Sequence, residues 1–333
     1  MKIIAPIRNK DQYEPLVRNG ASELYGGLYS VDWFVRYGEM IEYNRRGNFG
    51  KQANFTSFAD MAKVLEWCER DGVTFFLTVN AIFLSAFQTD TLRSILSEYV
   101  KGGGSRVIVS DMQAMKVAQE EGCKITVSSC AGIYNGASAA FWCGMGAERI
   151  ILPRSADITS LPYIMAECPD GTESEVFIMN TMCKYSDSMC RSFHNSEKGA
   201  LCHFYDDAPK KYFNADCEEL RGRNMESMLQ NSFFYRQLFS GNCSLGCGQC
   251  AVWDLMRARV NSVKIVGRLL DTGLLARQVA LTKRNIGIAE MSQSREEYMA
   301  RMEDPRAVLD ADLCSRGYRC YYRDVRRMVE LNE

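Results

Sequence analysis

Three of the chain's fourteen cysteines, Cys243, Cys247 and Cys250, fall within the ten residues GNCSLGCGQC at 241–250. The CGQC run is a CxxC pair, whose turn lets two sulfurs point at one centre. A second pair, Cys183 and Cys190, sits in CKYSDSMC, and Cys202 and Cys217 lie between the two. Half of all the cysteines thus fall in residues 181–250, about a fifth of the chain. Core thiols would be spread among strands and helices, so this concentration points to coordination. Four thiolates are the usual complement for zinc and for iron–sulfur clusters alike. Zinc, with His194 or His203 as a mixed ligand, stays open, although structural zinc sites usually pair two short knuckles. An iron–sulfur cluster tolerates the irregular spacing better. Elsewhere, Cys68, Cys123 and Cys143 read as packing residues, and Cys130 as a small buried residue that can face a cavity. Cys314 and Cys320 read as a separate pair of open role.

A second group of chemical residues lies at strand ends. Arg8, Asn80, Asp111, Arg154, Asn180 and Arg268 all fall at or just beyond the ends of strand-like runs. If those ends meet, the six form a cavity suited to an anionic or hydrogen-bonding ligand. The plainer alternative is that they cap neighbouring helices and pair with one another. Tyr25, Trp33, Phe34 and Tyr134 add rings that can stack on a planar substrate or simply pack the loops. With only two histidines, both inside the cysteine-rich segment, no Ser/His or Cys/His arrangement is evident and no HExxH occurs.

The elements that would position these groups alternate along the chain. Strand candidates are 2–7, 23–28, 74–79, 106–111, 124–129, 149–154, 175–180 and 262–267, each short and apolar enough to be buried on both faces. Amphipathic segments such as 57–72 and 90–104 fall between them and close on glycine. Eight strand–helix units predict a (β/α)8, TIM-like barrel, with a doubly wound sheet as the competitor. Two departures interrupt the rhythm: a long loop at 29–56 and the Cys-rich insertion 181–250 after the seventh strand. Loops after strands gather at the C-terminal mouth of a barrel. The expected organisation is a barrel over 1–288 and a charged, helical C-terminal extension over 289–333.

The formal net charge of -1 makes no global case for nucleic acid or an anionic membrane. No stretch approaches the roughly 18 apolar residues of a membrane span, and no apolar signal segment opens the chain. A cytoplasmic, reducing setting is expected, where disulfides are disfavoured.

The residues also resemble a family. VNSVKIVGR (260–268) is similar to the GVDSLKIEGR signature of the peptidase U32, or collagenase-like, family. LYGGL (24–28), FLTVN (76–80), VIVSDMQAM (107–115) and RIILPRSADI (149–158) resemble its YLGG, VTVN, IVQDLG and RVVLSRELS elements in order. The resemblance runs from residue 1 to about 285 and implies a barrel. It implies either a protease or a protein of oxygen-independent hydroxylation of aromatic rings, in ubiquinone precursors or RNA bases. The second group carries a [4Fe–4S] cluster on cysteines after the seventh strand. By that resemblance the ligands are Cys183, Cys190, Cys247 and Cys250, with Cys202 and Cys243 as substitutes. The substrate is then a small aromatic or nucleobase-containing molecule, with a second U32-family subunit or an electron donor as partner. The sequence departs from the family where the KIEGR acid is Val266, and where TVSSC (126–130) replaces HxSxQ.

Overall fold

The computed structural model describes residues 1–38, 42–180, 187–189, 194–195, 199–200, 246–305, 320–322 and 325. Strands β1 (Lys2–Pro6), β2 (Glu23–Gly26), β3 (Thr74–Val79), β4 (Arg106–Val109), β5 (Lys124–Val127), β6 (Ala147–Ile151) and β7 (Glu173–Met179) follow in turn. A two-stranded ribbon, β8 (His194–Asn195) with β9 (Gly199–Ala200), precedes β10 (Ser262–Ile265). The eight long strands pair in parallel and close in the order β1-β10-β7-β6-β5-β4-β3-β2, the expected barrel. Each overlaps its predicted segment; β6 and β7 begin two residues earlier than expected.

The covering helices are α1 (Tyr13–Arg18), α2 (Val31–Tyr37), α3 (Phe58–Asp71), α4 (Thr89–Lys101), α5 (Met112–Glu120), α6 (Gly136–Gly144) and α7 (Leu161–Ala166). After the insertion come α8 (Val252–Arg257), α9 (Thr272–Met291) and α10 (Arg295–Arg301). Helix α3 shows how the local sequence works. The Ser57 side chain accepts from Asp60 N–H at its start, and Gly72 ends it in the left-handed region at φ 68°. Between them Met61, Val64, Leu65 and Cys68 are buried on the barrel side, about 1.5–3 kcal/mol for each large aliphatic side chain. Cys123 and Cys143 are buried packing residues as well. The loop expected at 29–56 contains α2, because Ser30 caps it by accepting from Trp33 N–H. The boundary expected at 288 falls inside α9, which runs on to Met291. Among the described residues no helix is long and apolar enough to cross a membrane.

Strand parity divides the barrel into an apolar outer face and a partly charged interior. Ile3, Leu24, Leu77, Val107, Ile125, Ile150, Val176 and Val263 are buried under the helices. The alternate positions face inward and carry Glu23, Arg149, Glu175, Ser262 and Lys264, all buried. Arg149 on β6 reaches Glu23 on β2, four places round the closed order, so the contact crosses the lumen. Its two terminal nitrogens meet the two Glu23 oxygens at 2.7 Å each, while Nε donates to Glu173 at 2.7 Å and Nη1 to Glu175 at 3.1 Å. Lys264 Nζ donates to the other Glu175 oxygen at 2.6 Å and lies 4.0 Å from the Tyr25 ring centroid. Lys2 closes the network at the rim with Glu173 at 2.7 Å. Three cations thus meet three carboxylates, which is the condition for burying charge at all. Burial works to raise the Glu23 carboxyl; the hydrogen bonds and charge of Arg149 outweigh it and hold it below its ordinary range.

Candidate functional site at the barrel mouth

The loop after β2 folds back over the C-terminal end of the barrel. Phe55 N–H donates to Gly27 O and Tyr29 N–H to Phe55 O, both at 2.8 Å, so the returning chain lies beside the end of β2. This brings Asn44 and Asn54 over the lumen, where Arg268 arrives just past β10. Arg268 is 7% exposed. Its Nη1 donates to Asn54 Oδ1 at 2.8 Å and, at 3.4 Å, to Thr78 Oγ1 and Ala53 O; Nη2 donates to Asn44 Oδ1 at 3.4 Å. Every one of these acceptors is neutral, and among the described residues no carboxylate forms an ion pair with it. Burial accordingly pushes Arg268 down to about 10, with Arg46 adding to the effect and Tyr25 and Glu42 opposing it. Asn44 is fully buried, and its Nδ2 donor has no hydrogen-bond partner among the described residues. Its Oδ1 accepts from Arg46 N–H at 3.0 Å, which fixes the orientation of the amide.

Further guanidinium groups share this mouth. Arg8 Nη1 donates to Gln52 O at 2.9 Å and Arg268 O at 3.1 Å, tying the end of β1 to the loop and to the end of β10. Arg154, after β6, is ion-paired with the buried Asp187, and its guanidinium lies 4.0 Å from the Phe177 ring centroid. Arg46 is held below its ordinary value first by burial and then by Arg45, with Arg154 adding to the effect. Cys130 sits in the same field: burial raises its thiol, Arg45 and Arg154 oppose, and Asp187 adds to the rise.

The six strand-end residues separate by role. Arg8, Arg154 and Arg268 come together at the mouth. Asn80 supports it, its side chain accepting from Arg45 N–H at 3.2 Å. Asp111 instead caps α5, accepting from Gln113 and Ala114 N–H at 2.8 and 3.0 Å. Asn180, buried with φ 69°, donates to Val266 O at 2.8 Å and exchanges bonds with Gln278 at 2.6 and 2.8 Å, which ties β7 to α9. Of the rings, Tyr25 is buried under Lys264, and Trp33 packs on Tyr37 and Tyr43 at 4.8 and 5.0 Å. Tyr134 is 40% exposed and hydrogen-bonds Ser188 at 2.6 Å. Asn44, Arg45 and Arg46, within NRRGN (44–48) of the loop, were not singled out by spacing.

Beside the arginines runs the CGQC arm. Asn180 N–H donates to Gly246 O at 2.7 Å and Gly248 N–H to Ile178 O at 2.8 Å, making an antiparallel bridge of Cys247 with Met179. The 3-10 turn Gln249–Ala251 follows. Gln249 is fully buried; its amide donates to Thr282 at 2.7 Å and accepts from Asn285 at 3.1 Å, and Tyr298 Oη donates to its carbonyl at 2.6 Å. Gln249 N–H points at Cys247 Sγ, 3.4 Å away. Cys247 is buried and Cys250 half-buried. Cys183, Cys190, Cys202 and Cys243 lie outside the described residues. Among the described residues no three Cys, His, Asp or Glu side chains stand ready as a metal site. The residue types of the CxxC pair nonetheless suit thiolate ligation: two cysteines on one rigidly held turn, one of them receiving a backbone N–H.

Tyr321 joins the two halves of the site. Its ring stacks on Phe177 at 6.2 Å and 24°, its hydroxyl donates to Asn180 O, and both Arg154 and Cys247 act on it electrostatically.

A family model described as peptidase family U32 matches residues 8–328. The match runs through the tail, past the limit near 285 expected from the motifs. A curated relative, the collagenase of Porphyromonas gingivalis (strain ATCC BAA-308 / W83), is 26% identical over 163 residues, 49% of this chain and 35% of the relative. The aligned part of the chain thus spans about a third of that relative's length. Among solved structures, the U32 peptidase Mk0906 superposes with a TM-score of 0.42 at 13% identity, over 54% of this chain and 69% of that one. Dihydrodipicolinate synthase from Oceanobacillus iheyensis gives a TM-score of 0.47 at 9% identity, over 91% and 77%.

Proposed function

The chain belongs to peptidase family U32, and from that premise we propose that it is an iron–sulfur-dependent redox enzyme, or a subunit of one, of the cytoplasm. In this reading it performs oxygen-independent hydroxylation or a related atom transfer on a small, anionic, aromatic or nucleobase-like substrate. The observation that carries the anionic substrate is Arg268, a buried cation whose hydrogen-bond partners among the described residues are all neutral, beside the Nδ2 of Asn44, which has no partner among those residues. Such a pair leaves a positive charge and a donor for a carboxylate or phosphate oxygen to satisfy. Arg8 would hold the loop that carries Asn54, and Arg154 would face the ring end of the substrate from beside Phe177.

The proposed [4Fe–4S] ligands are Cys183, Cys190, Cys247 and Cys250, with Cys202 and Cys243 as substitutes and zinc as the alternative metal. Bound there, a cluster would supply one-electron chemistry or activate an oxygen- or sulfur-donating co-substrate. Gln249 N–H would favour the thiolate of Cys247 by donating to its sulfur, and Tyr298 and Asn285 would keep that turn rigid.

A second reading is supported by the family description and by the collagenase relative: a peptidase. A third outcome is a non-catalytic, zinc- or cluster-stabilised partner of a second family member. Anaerobic purification with iron, sulfide and zinc analysis, absorption and paramagnetic resonance spectra separates them. Iron and sulfide in matching amounts, with reduction-dependent spectra, are expected. A colourless protein with stoichiometric zinc ends the redox reading. Peptide cleavage that survives Cys247→Ala in the iron-loaded protein makes the peptidase reading the better one.

A further inference from the structure

The inward-facing column of β2 ends beneath Arg268. Glu23, Tyr25 and Gly27 alternate along it, each one layer nearer the mouth than the last. Gly27 has no side chain, and the guanidinium fills the space above Tyr25: a Cβ there would lie 2.5 Å from Arg268 Nη1 and 3.1 Å from Thr78 Oγ1. Lys264 fixes the Tyr25 ring, its Nζ 4.0 Å from the centroid and held by Glu175 at 2.6 Å. Tyr25 is 5% exposed, yet its hydroxyl makes no hydrogen bond among the described residues. Buried phenols usually find an acceptor. The charges acting on this one are mostly guanidiniums: Arg268 first, then Glu175, Arg154 and Arg46. A guanidinium only donates, so none of the three can accept the phenolic proton. Glu175 is already engaged by Arg149 and Lys264, and burial raises the hydroxyl, which keeps it a donor. Further donors border the same guanidinium. Arg268 Nη2 meets Asn44 Oδ1, which sets the Asn44 Nδ2 beside it without an acceptor among the described residues. Arg268 Nε and the second hydrogen of Nη2 have no acceptor among those residues either.

We propose that Tyr25 Oη, Asn44 Nδ2 and the remaining N–H groups of Arg268 form one oxyanion pocket, which seats the carboxylate or phosphate of the ligand. The inference rests on the reading of Arg268 as an anion site and adds to it a donor from within the barrel. Carboxylate and phosphate share the chemistry that the pocket answers: negative charge and several lone pairs, against donors of which one is a cation. A neutral ligand leaves the charge of Arg268 without a counterpart. The alternative role for Tyr25, a packing ring under Lys264, makes no use of its hydroxyl.

The test uses the full chain in a buffer free of phosphate and carboxylate. Benzoate and inorganic phosphate are titrated separately by calorimetry, which tells the two sources of an oxyanion apart. At least one should bind, and Tyr25→Phe should weaken that binding by about tenfold or more, the loss of one hydrogen bond to a charged group. Tyr163→Phe, at an exposed ring of α7, should leave it unchanged. Without anion, Tyr25→Phe should unfold at a temperature no lower than the wild type, because the hydroxyl has no bond to lose. Equal affinity in Tyr25→Phe, or a variant less stable than the wild type without anion, overturns the inference alone. A wild type that binds neither benzoate nor phosphate overturns the anion site and this donor together. A crystal structure of the wild type with the anion bound needs no variant. It should place an anion oxygen within hydrogen-bond distance of Tyr25 Oη, and an anion held by Arg268 away from that hydroxyl refutes the pocket.

Discussion

Replacing Arg149 with methionine keeps the length of the side chain and removes the cation that three carboxylates share. Glu23 and Glu175 are 1% and 0% exposed, so neither can turn to water for solvation. Glu175 keeps Lys264 at 2.6 Å, but Glu23 retains only the Ser262 hydroxyl at 2.9 Å and the distant Lys2 at 3.4 Å. Removing one partner of a buried pair costs about 3–5 kcal/mol. At about 2 °C per kcal/mol, the low end expected for a large domain, the thermal midpoint should fall by about 6–10 °C. The cost must also depend on pH. In the wild type the Glu23 carboxyl is held below its ordinary value, so its contribution is present above that value and is lost as pH falls through the depressed one. Without Arg149, burial is nearly unopposed and raises the carboxyl above its unfolded value. The variant then takes up a proton on folding, and its stability declines as pH rises. The gap between wild type and Arg149→Met should therefore be wider at pH 8 than at pH 5. Thermal unfolding at both pH values, followed by circular dichroism, measures it. An equal gap at the two pH values, or a fall of less than about 1 kcal/mol, would refute the account of the interior as a charge-balanced network.

Two further outcomes follow from other parts of the molecule. A Cβ at Gly27 would lie 2.2 Å from Asn54 Oδ1 and 2.5 Å from Arg268 Nη1. Gly27→Ala should destabilise the fold by about 1–3 kcal/mol and abolish any thermal stabilisation by phosphate or small carboxylates, because the guanidinium must move. A variant stabilised by those anions as strongly as the wild type would show that the mouth does not bind through Arg268. Burial pushes the Cys68 and Cys123 thiols up to about 12 and about 11. Both should stay unlabelled by iodoacetamide at pH 8 in the native protein and react only after unfolding, since the thiolate is the nucleophile; rapid native labelling of either counts against its place in the core.

Much of the barrel was legible because its signals are local. Short apolar runs at 74–79 and 106–109 can only be buried on both faces, and the Ser57 and Gly72 caps of α3 are written in neighbouring residues. The roles of the strand-end residues were less legible. Asp111 follows a strand as Arg154 does, yet it turns back to cap the next helix, a choice made by the two free N–H groups of α5. Asn44 and Arg46 carried no positional signal, since a loop residue reaches the mouth only by the way the loop folds back.

By itself, then, the sequence determined the repeating strand–helix alternation, the burial of each strand on both faces, and the clustering of thiols on one insertion. Those properties follow from periodicity and spacing within a few residues. Only the tertiary structure decided that Arg149 would meet Glu23 across the lumen, 126 positions away. It alone set Arg268 among neutral acceptors and laid Cys320 beside Cys247. Pairings of that kind depend on closure of the barrel and on the paths of loops, where distant segments compete for the same space. No local pattern in the chain encodes that competition.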